Sequence, residues 1–582
     1  MNVVVNVVVN VVGISAFFHE SACCLLQDGR LVAAAEEERF SRVKHDPRLP
    51  VSAFRYCLRA GGIGIADVNA VAYYESPVRK LARQLWSGVP LGDSDPGRPE
   101  RAIHEGLGYE GPVLFFDHHA SHAASAFLFS GYPEAAVLTV DGVGEWDTTT
   151  YGHGLDVIEK VEFPHSLGLL YSTITSYLGF EVNDGEYKVM GLAPYGRPRY
   201  ADRVRQLVSS GPGGQLALDL RYFDFIRGSR MYSEALCDLF GAPPRPRESE
   251  ITAFHQDVAQ SLQVVLEEIL LEKVRWLHRE TGSRRLCLAG GVALNCVANG
   301  RILREGPFEQ LFVQPAAGDS GGCLGAAALA HLELTGERPD SEPMRHAFLG
   351  PSWTADEVAS ILAATGLQTL DFRGREPELL EAVVDRLAAG KVVGWFHGRM
   401  ELGPRALGAR SLLADPRDPE MRDRLNGVVK KREAFRPFAP SILLARAREH
   451  LDLDHPSPFM LETCRVRSPL PLPAVTHVDG SARPQTVDPE TAPRYAALLE
   501  AFRRRTGCPV LVNTSFNVRG EPIVCSPVDA LLCFGGTGID ALVLEDFVID
   551  REALPENLPE LLASWRLPRS GFAVSRDLYT FV

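Results

Sequence analysis

A chain of 582 residues is too long for a single compact core, so two or more domains are expected. With 45% hydrophobic and 23% charged residues, its composition is that of an ordinary soluble globular protein. The formal net charge of -14 argues against nonspecific nucleic-acid binding as the main task, although a local basic site can still exist. The 11 cysteines include no C-x-x-C pair, which favours reduced, buried thiols in a cytoplasmic protein over a disulfide framework.

The opening stretch MNVVVNVVVNVVGIS is apolar, but it lacks a basic n-region and a cleavage site, and it is too short to span a bilayer. It reads as a strand over residues 8–14, with Asn2, Asn6 and Asn10 on one face. Residues 23–26 and 31–35 read as a hairpin around Asp28-Gly29, a strong turn signal. His19 lies in the loop between strand and hairpin, where a structural role and catalysis are equally open. The charge run 36–42 (EEERFSR) has a solvated surface turn as its default reading.

The most informative stretch is 113–146. Residues 113–116 suit a buried strand. A helix starting near Asp117 then places His118 and His122 four apart on one face. A second strand over 134–140 delivers Asp141 to its end, just before Gly142 and Gly144. Two imidazoles one turn apart with a strand-end carboxylate suit a metal. A polar helix start with capping histidines is the competing reading.

Further along, NDGEYKVMGLAPYG (183–196) is a Gly-bounded loop in which Lys188 either neutralises a phosphate or pairs with Glu186. Residues 197–250 read as an insertion able to shape a pocket. Residues 256–279 carry apolar positions at helical spacing, closed by Gly282. Residues 285–295 read strand, Gly290-Gly291, helix, ending in Asn295. Such glycines allow close backbone approach to an anionic ligand, or merely tight packing. After a strand at 311–313, Asp319 sits in a glycine-rich loop before a helix over 324–332.

Residues 335–353 are polar and Pro/Gly-bearing, which marks a domain boundary. An amphipathic helix over 378–389 and a strand over 392–396 open a second α/β domain. There, Arg405 and Arg410 (GPRALGARS) and Lys430 and Arg436 (VKKREAFRPFAPS) concentrate cations in an acidic protein, and guanidinium forks suit phosphate oxygens. In NTSFNVRGEP, Asn513, Ser515 and Asn517 follow a buried strand. They can hydrogen-bond a carbamoyl or nucleotide group, or cap a turn.

Taken together, FFHES, AAAEEERFSRVKHD, HHASHAASAFLFSG, VDGVGE, EYKVMGLAPYG, GPRALGARS, VKKREAFRPFAPS and NTSFNVRGEP resemble the O-carbamoyltransferases of NodU/CmcH type, in order and over nearly the whole chain. One departure is Glu20, where that family usually has Asp. The resemblance implies a mixed α/β chain. Residues 1–345 would form an actin-like, sugar-kinase-like ATPase fold with duplicated β-sheet subdomains, and 346–582 a YrdC-like domain binding carbamoyl phosphate and ATP. It implies that Asp319 joins His118, His122 and Asp141 as a His2Asp2 site, for Fe(II) first, or Mn or Zn. Adenosine would lie near Gly142, Gly290, Gly291 and Asn295, and Mg would accompany ATP. Arg405, Arg410, Lys430, Arg436, Asn513, Ser515 and Asn517 would bind carbamoyl phosphate and ATP. His19, Lys188, Arg405 and Lys430 would be catalytic. The acceptor would be a small-molecule hydroxyl, with an antibiotic intermediate favoured, and neither nucleic acid nor membrane is expected as a partner. A homodimer is the default assembly. The competing classes are a threonylcarbamoyladenosine-type tRNA-modifying enzyme, a sugar or carboxylate kinase, and a non-enzymatic ATP-gated scaffold.

Overall fold

A computed structural model describes residues 8–89, 95–339, 342–430 and 433–555; Asn2 and Asn6 of the expected N-terminal strand lie outside these ranges. The chain forms two compact units. The residues up to Glu37 and His45–Met344 make the first, and Glu38–Lys44 with the described residues from Arg345 onwards make the second.

The first unit holds two five-stranded sheets built on one plan. In the first sheet, β1 (Asn10–Ser15), β2 (Ala22–Gln27) and β3 (Arg30–Glu36) form an antiparallel meander. β4 (Ala70–Tyr73) and β5 (Val113–Phe115) add in parallel beyond β1, giving the order β3-β2-β1-β4-β5. The hairpin turn between β2 and β3 has Asp28 and Gly29 at φ 48° and 76°, the left-handed pair that a tight two-residue turn needs. The second sheet repeats this plan. β6 (Ala136–Val140), β7 (Asp147–His153) and β8 (Asp156–Glu162) make the meander. β9 (Arg285–Ala289) and β10 (Gln310–Val313) extend it in parallel, giving the order β8-β7-β6-β9-β10.

Five helices of this unit matter for the site: α1 (Pro77–Trp86), α2 (His118–Phe127), α3 (Ala253–Thr281), α4 (Cys296–Glu305) and α5 (Gly322–Thr335). α3 buries Val258, Leu262, Val265, Ile269 and Leu277, and ends at Gly282, whose φ is 64°. Helix α5 is the buried partner of both β1 and α2. Small residues make this approach possible: a Cβ on Gly13 would lie 1.9 Å from the Cys323 carbonyl oxygen, and one on Gly325 only 1.7 Å from that of Ser121.

The second unit is organised on a mixed eight-stranded sheet. Its strands are β11 (Leu370–Asp371), β12 (Val393–Phe396), β13 (Arg410–Ala414), β14 (Ala439–Leu443), β15 (Gln485–Val487), β16 (Val510–Ser515), β17 (Ala541–Leu544) and β18 (Phe547–Asp550). They run in the order β11-β18-β17-β12-β13-β16-β14-β15. Helices α6 (Glu376–Ala388), α7 (Pro493–Thr506) and α8 (Pro527–Gly535) close the core through residues such as Leu379, Val383, Phe502 and Phe534, packed with Trp395 of β12.

The charge run after β3 differs from its expected surface turn: Glu36, Glu37, Glu38 and Arg39 are all buried. Glu37 shows why such a run can go inside, because its carboxylate accepts from the amides of Ser52 and Ala53 at the start of the helix Val51–Gly61. All 11 cysteines are free thiols, and all but Cys237 are buried. Among the described residues no helix is long and apolar enough to cross a membrane.

The contact at Gly325 is the tightest of the two that fix α5. Gly325→Ala is expected to push α5 away from α2 and to destabilise the first unit by about 1–3 kcal/mol, as overpacking does. A lowered thermal midpoint in differential scanning calorimetry would register it.

Candidate metal centre

Four side chains of the first unit converge. β6 ends at Val140 and delivers Asp141 into a turn where the backbone of the second sheet comes very close. Gly290, at φ 90°, sits where a Cβ would lie 2.4 Å from the Val140 carbonyl oxygen. Gly291 N–H then donates to Asp141 Oδ1 at 2.9 Å. With one oxygen held, Asp141 turns Oδ2 toward His118 Nε2, 3.0 Å away, and His122 Nε2, 3.5 Å away.

Helix α2 supplies the two histidines from successive turns, and their Nε2 atoms are 3.0 Å apart. The N-cap residue Asp117 makes no capping bond, because its carboxylate pairs with Arg79. Glu145 caps the helix from outside. Its two oxygens lie 3.0 and 3.2 Å from His118 N, and Oε1 also accepts from Ser76 N, just before α1, at 2.5 Å. Asp319 opens the single 3-10 turn Asp319–Gly321 ahead of α5, and its Oδ1 lies 3.7 Å from both Nε2 atoms.

All four groups are buried, and their facing atoms lie within 4.8 Å of one another. Burial opposes a charge on His118, but Asp319 and Asp141 outweigh it and raise the imidazole to about 9. Burial likewise works against the Asp141 carboxylate, and the facing histidines nevertheless hold it well below the usual range. His119, on the same helix, is driven the other way by burial and by His118 and His122. It bonds Thr139 Oγ1 at 2.6 Å and stands outside the cluster.

The donor set fits a metal ion. Nitrogen and oxygen atoms 3.0 to 3.7 Å apart are spaced as atoms sharing one ion through bonds of about 2.0–2.2 Å. Asp319 Oδ2 is buried without a hydrogen-bond partner among the described residues. A buried carboxylate oxygen in that state is costly unless a cation or donor meets it.

The remaining expected residues of this unit have their own partners. Gly291 reaches the cluster through its amide, as above. Gly142 and Asp141 both accept from Ser166 Oγ through their carbonyls. The Asn295 side chain caps α4 by accepting from Ala298 N, and pairs with Gln263 of α3. Lys188 pairs with Asp184 at 3.5 Å, whereas Glu186 bonds Ser172 and the Asn183 amide. Asp184 also faces His45 at 3.4 Å, and His45 faces Glu20 at 3.4 Å. A Cβ on Gly318, the residue before Asp319, would lie 2.8 Å from Glu20 Oε2, so this chain of charges ends beside the Asp319 loop. His19 is half-buried in the loop after β1, its ring 4.3 Å from that of Phe18.

In the second unit, Arg405 lies half-buried in the loop between Glu401 and β13. That loop is fixed by Glu401, which accepts from the amides of Leu407, Ala409 and Arg410 at 2.7, 2.8 and 3.2 Å. Arg410 departs from its expected phosphate-facing role. It is fully buried, and its guanidinium bonds the carbonyls of Pro351, His397, Ala409 and Cys525 while stacking 3.6 Å from the Phe396 ring centre. Arg436 faces Glu433 at 3.6 Å. The Lys430 side chain lies outside the described residues. Asn513 is buried, donating to Ala406 O, Ser441 Oγ and Gln485 Oε1. Ser515 donates to Asn517, which donates to Glu521 O and so closes a turn.

Glu145 had no role assigned from the sequence, although VDGVGE contains it. The only available signal was a carboxylate close behind a strand-end ligand. Because Glu145 fixes the first turn of α2, Glu145→Gln is expected to weaken metal binding about ten-fold or more, the usual cost of losing an outer-shell partner. Titration of the metal-free protein with Co(II), followed by visible absorption, measures it.

Known proteins align with both units. The family description "Carbamoyltransferase N-terminus" matches residues 10–85 and 107–328, and "Carbamoyltransferase C-terminus" matches 384–551. A Synechocystis protein, sll1178, is 45% identical over 94% of this chain and 97% of its own. Nodulation protein NolNO of Sinorhizobium fredii is 39% identical, over 94% and 82%. The 3'-hydroxymethylcephem-O-carbamoyltransferase of Amycolatopsis lactamdurans is 30% identical, over 91% and 97%. Among solved structures, HypF of T. kodakarensis aligns with a TM-score of 0.31 at 14% identity, covering 57% of this chain and 50% of that one. With both halves matched in order and whole-length relatives at this identity, the chain belongs to the carbamoyltransferase family.

Proposed function

We propose that this carbamoyltransferase makes carbamoyl adenylate from carbamoyl phosphate and ATP in its second unit. The first unit then transfers the carbamoyl group to a hydroxyl of a small-molecule natural product. The observation that carries this reading is the buried His118, His122, Asp141 and Asp319 cluster, held at the end of a duplicated sheet in a chain whose other half is rich in loop-borne cations. The first unit is read as actin-like and the second as YrdC-like. An antibiotic intermediate is the favoured acceptor, in line with the cephem named for one relative, and a cytoplasmic location goes with such a substrate.

In the second unit, Arg405, Lys430 and Arg436 hold the phosphate oxygens of carbamoyl phosphate and Mg-ATP. Arg410 acts from behind, fixing the loop through its four carbonyl partners. Cations aimed at departing phosphate and pyrophosphate oxygens stabilise the charge that develops as those bonds break. Ser515 and Asn517 offer hydrogen bonds to the carbamoyl or nucleotide group, and Asn513 supports them from the core.

In the first unit, the adenosine of carbamoyl adenylate lies along the backbone of Gly142, Gly290 and Gly291, close to Asn295. His118, His122, Asp141 and Asp319 would hold Fe(II), or Mn or Zn, which when bound would supply Lewis acidity toward the adenylate. His19 accepts the proton of the acceptor hydroxyl as its oxygen bonds the carbamoyl carbon and AMP leaves. Lys188, paired with Asp184, neutralises charge on the departing phosphate.

Phosphorus NMR of the enzyme with ATP, carbamoyl phosphate, Mg(II) and Fe(II), without acceptor, tests the activation step. Pyrophosphate with carbamoyl adenylate, or AMP from its decay, is the expected outcome. ADP would instead favour a kinase. Arg405→Ala is expected to lower the rate of pyrophosphate release about a hundred-fold, the scale on which a lost transition-state donor acts.

A further inference from the structure

The segment Glu38–Lys44 is part of the N-terminal half of the sequence, yet it belongs to the second unit by its contacts. Its two arginines act on separate loops there. Arg39, buried, donates from Nη2 to the Gly403 carbonyl at 2.8 Å. Gly403 has a φ of 98° and begins the Gly403-Pro404-Arg405 corner. Arg42 donates from Nη1 to Ile523 O at 2.6 Å and from Nη2 to Pro522 O at 2.8 Å, and its Nε lies 3.5 Å from Asp529 Oδ1. Pro522 and Ile523 close the loop that starts at Ser515 and Asn517, and Val524 N bonds back to Phe516 O at 3.0 Å. Asp529 caps α8 at the same place by accepting from Ser526 N.

The backbone is strained to make this contact. Arg42 has a φ of 59°, a left-handed conformation that costs a non-glycine residue about 1–3 kcal/mol and persists only where surroundings enforce it. Its amide still bonds Glu38 O at 2.9 Å. The strained turn thus aims one rigid guanidinium fork at two successive carbonyls, a geometry that lysine's single ammonium reproduces poorly.

We propose that residues 38–44 are a built-in clamp of the donor site. Arg39 and Arg42 would be positioning residues that hold the Arg405 loop and the 515–524 loop in register around carbamoyl phosphate and ATP. Neither arginine is assigned contact with the substrates. The clamp rests on the reading of the second unit as the activating site.

The test uses full-length protein carrying Arg42→Ala, Arg42→Lys or Arg39→Ala. Calorimetry measures binding of carbamoyl phosphate, a coupled assay measures pyrophosphate release, and elemental analysis measures bound metal. For Arg42→Ala, binding and pyrophosphate release are both expected to fall about ten-fold or more, as loss of positioning does. Ethylguanidine should restore both several-fold, Arg42→Lys should fall between, and metal content should stay at the wild-type level. Wild-type affinity in Arg42→Ala would overturn the clamp. So would a loss that ethylguanidine leaves untouched, or one that takes the bound metal with it, since either would mean general support of the fold. If the wild type binds carbamoyl phosphate but releases no pyrophosphate, the activation reading fails, and the calorimetric comparison still decides for or against the clamp.

Discussion

Two imidazole nitrogens 3.0 Å apart, faced by two buried carboxylate oxygens, form the constraint on which the first unit depends. Ionised groups are expensive to bury unless they are paired or bind a metal. The architecture keeps these four in place with backbone amides. Gly291 N–H fixes one oxygen of Asp141, and Glu145 fixes the first turn of α2. Gly325 lets α5, with Asp319 at its head, approach Ser121 between the two histidines. The four groups therefore come from three places in the chain, α2 for both histidines, the end of β6 for Asp141 and the turn ahead of α5 for Asp319, each set by a separate close contact.

The second unit handles charge differently. Its deepest cation, Arg410, is fully satisfied by carbonyls and is structural in this arrangement, whereas Arg405 and Arg436 lie half-buried on loops. Loops that would bind an anion need rigid supports, because loop residues have few backbone partners of their own. Glu401, with three amide donors, and Asn513, with its three acceptors, are two such supports. The strained turn at Arg42 is placed to be a third.

Local signals in the sequence were strong where periodicity and turn chemistry coincide. The Asp28-Gly29 hairpin, the α3 helix closed by Gly282, and the one-turn spacing of His118 and His122 were all legible. So was Asp141 at the end of a strand. Asp319 was reached only by family resemblance, because a single aspartate in a glycine-rich loop carries no distance information. The duplicated sheet order was also beyond local patterns, since β9 pairs with β6 across some 150 residues. The charge run at Glu36–Arg39 misled for a different reason. Charged residues default to solvent unless partners from distant segments are known, and here those partners are Ser52, Ala53 and Gly403. Arg410 misled in the same way: its sequence neighbours suggested a phosphate, while its actual partners are carbonyls at Pro351 and Cys525.

The most direct test of the metal centre is anomalous diffraction from crystals of the Fe(II)-loaded enzyme, collected on both sides of the iron edge. Expected is one strong peak enclosed by His118, His122, Asp141 and Asp319, with both imidazoles bound through Nε2. A peak at another site, or none between these four residues in loaded crystals, would contradict the assignment.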